Sequence, residues 1–363
     1  MGSDAKSAGG RIDCDIHPRV HAIGALRPYL SEHWQEVTRV SAFKGPVDTA
    51  YPRGAATSLR PDLRPADGTP PASDPDSVRA RTLDAGNAEI GILNCDYAIE
   101  SIHNPDAAAA LASAVNDWLI AEWLDVEPRF RASIVVPSQQ PEMAAREVER
   151  VGDHPGFVQI FLPARSAAPY GNRRFHPIYA AAAERNLVVG IQFGGCPGYP
   201  PTPVGWPTYY LEEYAGMAHV FQSQLLSLIA EGVFDQFPTL RVALVEGGFS
   251  WLPGFLWRLD KEWKGLRREV PWVRRLPSEY IREHVRLTIQ PFDAPSDPDQ
   301  ARAFFDLLAG DGLFDTLMFA TDDPHWHAGT PEETVLDTLP AEARAKIMRE
   351  TARAFYRLEG VRA

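Results

Sequence analysis

The sequence predicts an α/β protein built as a single (β/α)8 TIM barrel. Three observations carry that prediction. Short β-rich runs alternate with helical patterns eight times, and most runs are nearly continuous in Val, Ile, Leu and Phe, as strands covered on both faces require. Polar side chains also gather at the C-terminal ends of those runs, where barrels of this class build their sites. An open doubly wound sheet would alternate in the same way. Length alone would suggest about two domains, but the 363 residues show no internal repeat and no linker, and such barrels run this long as one unit.

The β-rich runs are RIDCDIHP (11–18), EIGILNC (89–95), RASIVVP (131–137), FVQIFLP (157–163), LVVGIQF (187–193), RVALVEGG (241–248), HVRLTIQP (284–291) and TLMFATD (316–322). Helical patterns lie between them at 104–124, 141–151, 176–186, 211–234 and 331–358, the last read as two helices broken near Pro340. Two stretches do not fit the alternation. Residues 43–77 hold seven prolines (Pro46, Pro52, Pro61, Pro65, Pro70, Pro71 and Pro75) and read as a long loop after the first strand. The stretch CPGYPPTPVGWPTYY (196–210) reads as a second long loop, after the fifth strand. Residues 1–10, MGSDAKSAGG, lack the apolar core of a signal peptide and read as a disordered leader, with the barrel domain spanning 11–363.

Composition narrows the partners. A net charge of −12 argues against nucleic acid or an anionic membrane surface, although a local Arg can still hold a small anion. No apolar run is long enough to span a bilayer. Cys14, Cys95 and Cys196 are odd in number and far apart, which suits a reducing cytoplasm better than a disulfide framework.

In the first run, Asp13, Asp15 and His17 stand at alternate positions, so a regular strand would point all three the same way. An edge strand with a wet face would show the same pattern. The other strand ends add Asn94, Cys95 and Asp96, then Ser138 and Gln139, Arg165, Gln192, Glu246, Gln290, and finally Asp322 and Asp323 with His325 and His327 just beyond. Such a ring can coordinate a divalent cation through imidazole and carboxylate, or run acid–base chemistry without metal.

Four of these segments, DCDIHP, VVGIQFGG, LRVALVEGGFSWLP and LMFATDDPHW, together resemble the amidohydrolase-2 (amidohydrolase-related) family, the branch that includes aminocarboxymuconate-semialdehyde and γ-resorcylate decarboxylases. The resemblance runs from about residue 11 to 358. It implies one divalent metal at the barrel mouth, zinc or manganese, and no organic cofactor. It also implies chemistry drawn from nonoxidative decarboxylation, hydration, or hydrolysis of C–C and C–N bonds. Carried over residue by residue, the metal ligands are Asp15, His17 and Asp322, with Asp322 able to activate bound water; Asp13 is left to hydrogen-bond inside the barrel. Two positions depart from the pattern. The fifth-strand histidine of the family is Gln192 here, and the sixth-strand histidine is Glu246. An amide oxygen is a poorer zinc ligand than imidazole, so the site would favour harder ions, or take its nitrogen from His325 or His327, or have lost the metal.

The roles expected are acid–base catalysis by Asp322 and Glu246, the latter with a pKa raised by burial, and electrophilic help from His17. Gln192, His325 and His327 would contact substrate, Arg165 would anchor its carboxylate through a bidentate fork, and Trp206 with Tyr209 and Tyr210 would stack on an aromatic ring. Each has a plain alternative: a helix cap for Asp322, a surface ion pair for Arg165, ordinary packing for the aromatic cluster. His103, His154, His176, His219 and His284 sit away from strand ends and read as structural. The first reading is a decarboxylase, a lyase acting on a small unsaturated or aromatic carboxylic acid. A metal-dependent hydrolase of an amide, lactone or C–C bond is the second, and a repurposed, metal-free barrel the third. A homodimer is expected.

Overall fold

A computed structural model describes residues 10–46, 59–195, 202, 204–325 and 335–358. Eight parallel strands run in the order β1 to β8: Arg11–Ile16, Ala88–Leu93, Phe130–Val135, Phe157–Arg165, Val188–Gly195, Arg241–Val245, Val285–Thr288 and Leu317–Met318. β1 and β8 meet through Cys14 N–H to the Phe319 carbonyl (3.0 Å), Asp322 N–H to the Asp15 carbonyl (3.0 Å) and His17 N–H to the Asp323 carbonyl (2.8 Å). The eight strands therefore form a nearly closed barrel with helices between them, a (β/α)8 TIM barrel, and the open doubly wound alternative falls away. Among the described residues, no helix is long and apolar enough to cross a membrane. His327, Cys196, residues 1–9 of the expected leader, and much of both long loops lie outside the described residues.

Two apolar layers hold the barrel. The outer one packs strand residues such as Ile16, Ile134, Leu162, Ile191 and Leu244 against the surrounding helices. The inner one joins Ile12, Cys14, Ile90, Ile92, Val188, Ala243, Val245 and Met318 to Ala352, Phe355, Tyr356 and Leu358 of the C-terminal segment. Each large side chain fully buried this way contributes roughly 1.5–3 kcal/mol. Arg353 pairs with Glu89 and Arg241 donates to the Phe355 carbonyl, so the C-terminal segment is tied to the N-terminal ends of β2 and β6.

The same-face expectation for Asp13, Asp15 and His17 does not hold. Ile12 and Cys14 belong to the inner layer but Ile16 to the outer, and the β1–β2 register slips between Asp13 and Ile16. Such a bulge puts two residues of one strand opposite one of its partner and changes the phase of alternation. Asp13 stays on the other phase, accepting from Thr321 N–H (2.9 Å) and the Thr321 hydroxyl (2.6 Å). Its burial raises the carboxyl to about 7 against those bonds.

Candidate active site

The bulge in β1 turns Asp15 and His17 into the C-terminal mouth. Asp15 Oδ1 accepts from Asn94 Nδ2 (2.8 Å) and Gln192 Nε2 (3.0 Å), and lies 3.2 Å from His17 Nε2. The same His17 nitrogen is 2.8 Å from Asp322 Oδ1 and 3.8 Å from Glu246 Oε2. Gln192 Nε2 also donates to Glu246 Oε2 at 3.3 Å. His325 Nδ1 lies 2.6 Å from Asp322 Oδ1, with its ring 4.6 Å from that of His17. Asp15, His17, Gln192, Glu246 and Asp322 are all buried, while His325 is partly exposed.

Two of the acids reach the mouth through backbone strain. Glu246 and Asp322 have φ of 59° and 58°, the left-handed region that side chains other than glycine rarely adopt. For Glu246 the effect is large: Ala243 and Val245 face the barrel interior, so alternation alone would send residue 246 outward. Neighbouring groups hold both turns. Glu246 N–H donates to the Thr288 hydroxyl (3.0 Å), and Asp293 accepts from Phe249 N–H (3.1 Å) and from the Ser250 hydroxyl (2.8 Å). At the eighth strand, Arg81 grips Asp323 through two bonds of 3.1 and 2.7 Å.

Three buried carboxylates around one imidazole shift their protonation. Burial pushes the Glu246 carboxyl well above its usual range, and the Asp322 and Asp15 charges push it further. Burial works to lower the His17 imidazole, but the Asp15 and Asp322 carboxylates outweigh it and hold it well above its usual value.

A divalent cation fits this arrangement. Ligating atoms of His17, Glu246, Asp322 and His325 all lie within 4.8 Å of one another. Asp15 Oδ2 and Gln192 Oε1 are buried acceptors with no hydrogen-bond partner among the described residues. Unsatisfied buried acceptors are expensive, and a concentration of buried negative charge is what a cation would offset. Asp15 stands one hydrogen bond from His17 rather than inside the four-residue group, which joins His17 and Asp322 of the expected trio with Glu246 and His325.

The remaining expected residues are spread more widely. Arg165 is buried, with Nη2 3.0 Å from Glu213 Oε1 of the helix Tyr210–Ala230. Trp206 is 51% exposed and Tyr209 69%. Tyr210 packs at a tilt against Tyr214, whose ring also lies 5.3 Å from that of Phe193, and burial with the nearby Glu246 and Asp322 charges raises the Tyr214 phenol. His284 is structural, its Nδ1 2.8 Å from the Leu240 carbonyl. Sequence reasoning placed Asn94 in the ring of strand-end polar residues without a specific role, and did not single out Gln159, Thr288, Tyr214 or Glu213. Gln159 carried a signal, as one amide in the apolar run FVQIFLP; Tyr214 and Glu213 carried none within a helical pattern.

Comparison with known proteins bears on the family and the fold. Residues 12–358 match the amidohydrolase family model. A γ-resorcylate decarboxylase from Rhodococcus jostii is 26% identical over 303 residues, covering 78% of this chain and 87% of that one. Among solved structures, a 5-carboxyvanillate decarboxylase from Novosphingobium aromaticivorans with bound manganese superimposes with a TM-score of 0.72 at 19% identity, covering 98% of this chain and 99% of that one. A dihydroxybenzoic acid decarboxylase from Polaromonas, also with manganese, gives 0.67 at 20% identity, covering 97% and 98%. The two structural likenesses bear on the barrel fold, and the family match spans nearly the whole sequence. The chain is an enzyme that belongs to the amidohydrolase family.

Proposed function

We propose that this enzyme is a nonoxidative decarboxylase of a small aromatic carboxylic acid, assisted by one divalent metal, with manganese the favoured ion. The observation that carries the reading is the placement of Glu246, a buried carboxyl whose Oε2 lies 3.8 Å from His17 Nε2, itself 2.8 Å from Asp322, with burial and the Asp322 and Asp15 charges pushing it toward its protonated form. Relatives named as decarboxylases of γ-resorcylate and of 5-carboxyvanillate support the substrate class. His17, Asp322 and Asp15 would hold the metal, with Gln192 Oε1 in the place of the family's histidine and His325 close by. Bound there, the ion would supply positive charge to offset the buried carboxylates and to attract an anionic substrate.

The chain's own residues supply the proton. Glu246 delivers its proton to the ring carbon that bears the carboxylate. The bond from that carbon to the carboxylate then breaks, its electron pair returns to the ring, and CO₂ leaves; Glu246 is reprotonated from solvent. A site that must release CO₂ needs no bound hydroxide, so it tolerates the weaker amide ligand at Gln192 better than a hydrolase would. The same reading takes the chain as a homodimer in a reducing cytoplasm, the latter supported by free, buried Cys14 and Cys95.

The test is CO₂ release from a panel of ortho-hydroxybenzoates by the purified full chain with and without Mn²⁺. Turnover that needs Mn²⁺ and falls by about 10²–10⁴ in Glu246→Gln is expected. Hydrolysis of amides or lactones with no decarboxylation would overturn the reading in favour of a hydrolase.

A further inference from the structure

Between the apolar inner layer and the mouth, a line of buried polar side chains crosses the barrel. The Tyr356 hydroxyl donates to Gln159 Oε1 (2.8 Å), and Gln159 Nε2 donates to Ser133 Oγ (2.8 Å) and Asn94 Oδ1 (3.1 Å). Ser133 Oγ donates to Asn94 Oδ1 (2.5 Å), and Asn94 Nδ2 donates to the Cys14 carbonyl (3.2 Å) and to Asp15 Oδ1 (2.8 Å). Gln159, Ser133 and Asn94 are fully buried and Tyr356 is 5% exposed.

The chemistry of the two ends fixes the direction of every bond. A backbone carbonyl and a carboxylate only accept, so Asn94 must present its NH₂ to Cys14 and Asp15 and its oxygen to the other side. That oxygen needs donors, which sets Gln159 with its NH₂ toward Asn94 and its oxygen toward Tyr356. Gln159 Oε1 then needs a donor, and the Tyr356 hydroxyl is the one that reaches it. Burial raises the Tyr356 phenol and keeps that proton in place. Gly190 makes room for the line: a Cβ there would come within 2.4 Å of the Gln159 amide. At the far end, Asn94 and Gln192 occupy Asp15 Oδ1, and Oδ2 is the oxygen left without a partner among the described residues.

We propose that this one-way line from Tyr356 to Asp15 is a positioning device, which holds Asp15 with Oδ2 presented to the metal and makes the C-terminal segment part of the site. Tyr356, Gln159, Ser133 and Asn94 are thus positioning residues, not catalytic ones. The inference rests on the metal reading above.

The experiment measures Mn²⁺ uptake by the metal-free full chain, from loss of the free-ion electron paramagnetic resonance signal. It compares the unaltered protein with Asn94→Ala, Tyr356→Phe and a control, Tyr280→Phe. Tyr280 is also a buried residue, and its hydroxyl donates to Asp235 at 2.7 Å outside this line. Orienting partners of metal ligands typically govern affinity by about 10–100-fold, the loss expected for Asn94→Ala. Tyr356→Phe removes one hydrogen bond three links away and should weaken Mn²⁺ about fivefold, whereas Tyr280→Phe should leave it unchanged. Equal affinities in Tyr356→Phe and Tyr280→Phe overturn the proposal even if Asn94→Ala does not fold. An unaltered protein that takes up no Mn²⁺ overturns the metal reading itself, and this inference with it.

Discussion

Glu246, just after β6, and Asp322, beyond the end of β8, share the same left-handed backbone and converge on one nitrogen of His17, at 3.8 and 2.8 Å. Glu rarely adopts this conformation and Asp does so more often, but each such residue other than glycine still costs on the order of 1 kcal/mol. Strain repeated at two strands, for two acids facing the same imidazole, is what a site kept at the expense of stability looks like.

Replacing Glu246 with glycine should therefore separate stability from activity. Glu246→Gly relieves the left-handed backbone and removes one of three clustered carboxylates, while the backbone bond to Thr288 remains. A rise in thermal midpoint, corresponding to about 1 kcal/mol or more, is expected together with loss of the proposed decarboxylation. Calorimetry checks it; a lower midpoint would mean that the strain is absent or that Glu246 contributes packing that outweighs it.

Gln192→His should tighten metal binding. The amide now spends its NH₂ on Asp15 and Glu246 and leaves Oε1 unpartnered, whereas an imidazole brings a nitrogen that zinc prefers. Titration of Zn²⁺ against a chromophoric chelator should show at least about tenfold higher affinity than in the unaltered chain. Unchanged affinity would show that position 192 does not face the ion.

Arg165 offers a choice between structure and substrate. Its guanidinium is paired with Glu213 and both are almost wholly buried. Removing one partner of such a pair typically costs about 3–5 kcal/mol, so Glu213→Gln and Arg165→Met should both lower urea unfolding midpoints strongly. If Arg165 serves instead as the carboxylate anchor, Arg165→Met would raise KM and leave the midpoint nearly unchanged.

Glu100, in the loop after β2, gives a pH signature separate from the cluster around His17. Burial, and then the Asp96 charge, raise its carboxyl to about 8. The folded state thus holds a proton that the unfolded chain releases near the ordinary value of about 4.3. Between those two values the folded state binds more protons, so stability falls as pH rises and the penalty is complete above the folded pKa. Glu100→Gln should flatten that decline, by an amount on the order of a few kcal/mol across the range. Parallel stability curves for the two proteins from pH 4 to 8 would remove Glu100 as the source.

The sequence by itself determined the class of fold and most of the site's composition. Eight apolar runs with helices between them can bury both faces only by closing up or being covered, and their polar ends named Asp15, His17, Gln192, Glu246 and Asp322 before any geometry was known. Tertiary structure decided how those residues face. Alternation is a local rule, and it breaks at the β1 bulge, which parts Asp13 from Asp15, and at the left-handed turn that brings Glu246 inward. It also decided that Arg165 meets Glu213, and that Tyr356, 341 positions after Asp15 in the chain, closes the polar line that reaches it. Those pairings are made by barrel closure, and residues so far apart leave no periodicity from which their contact could be read.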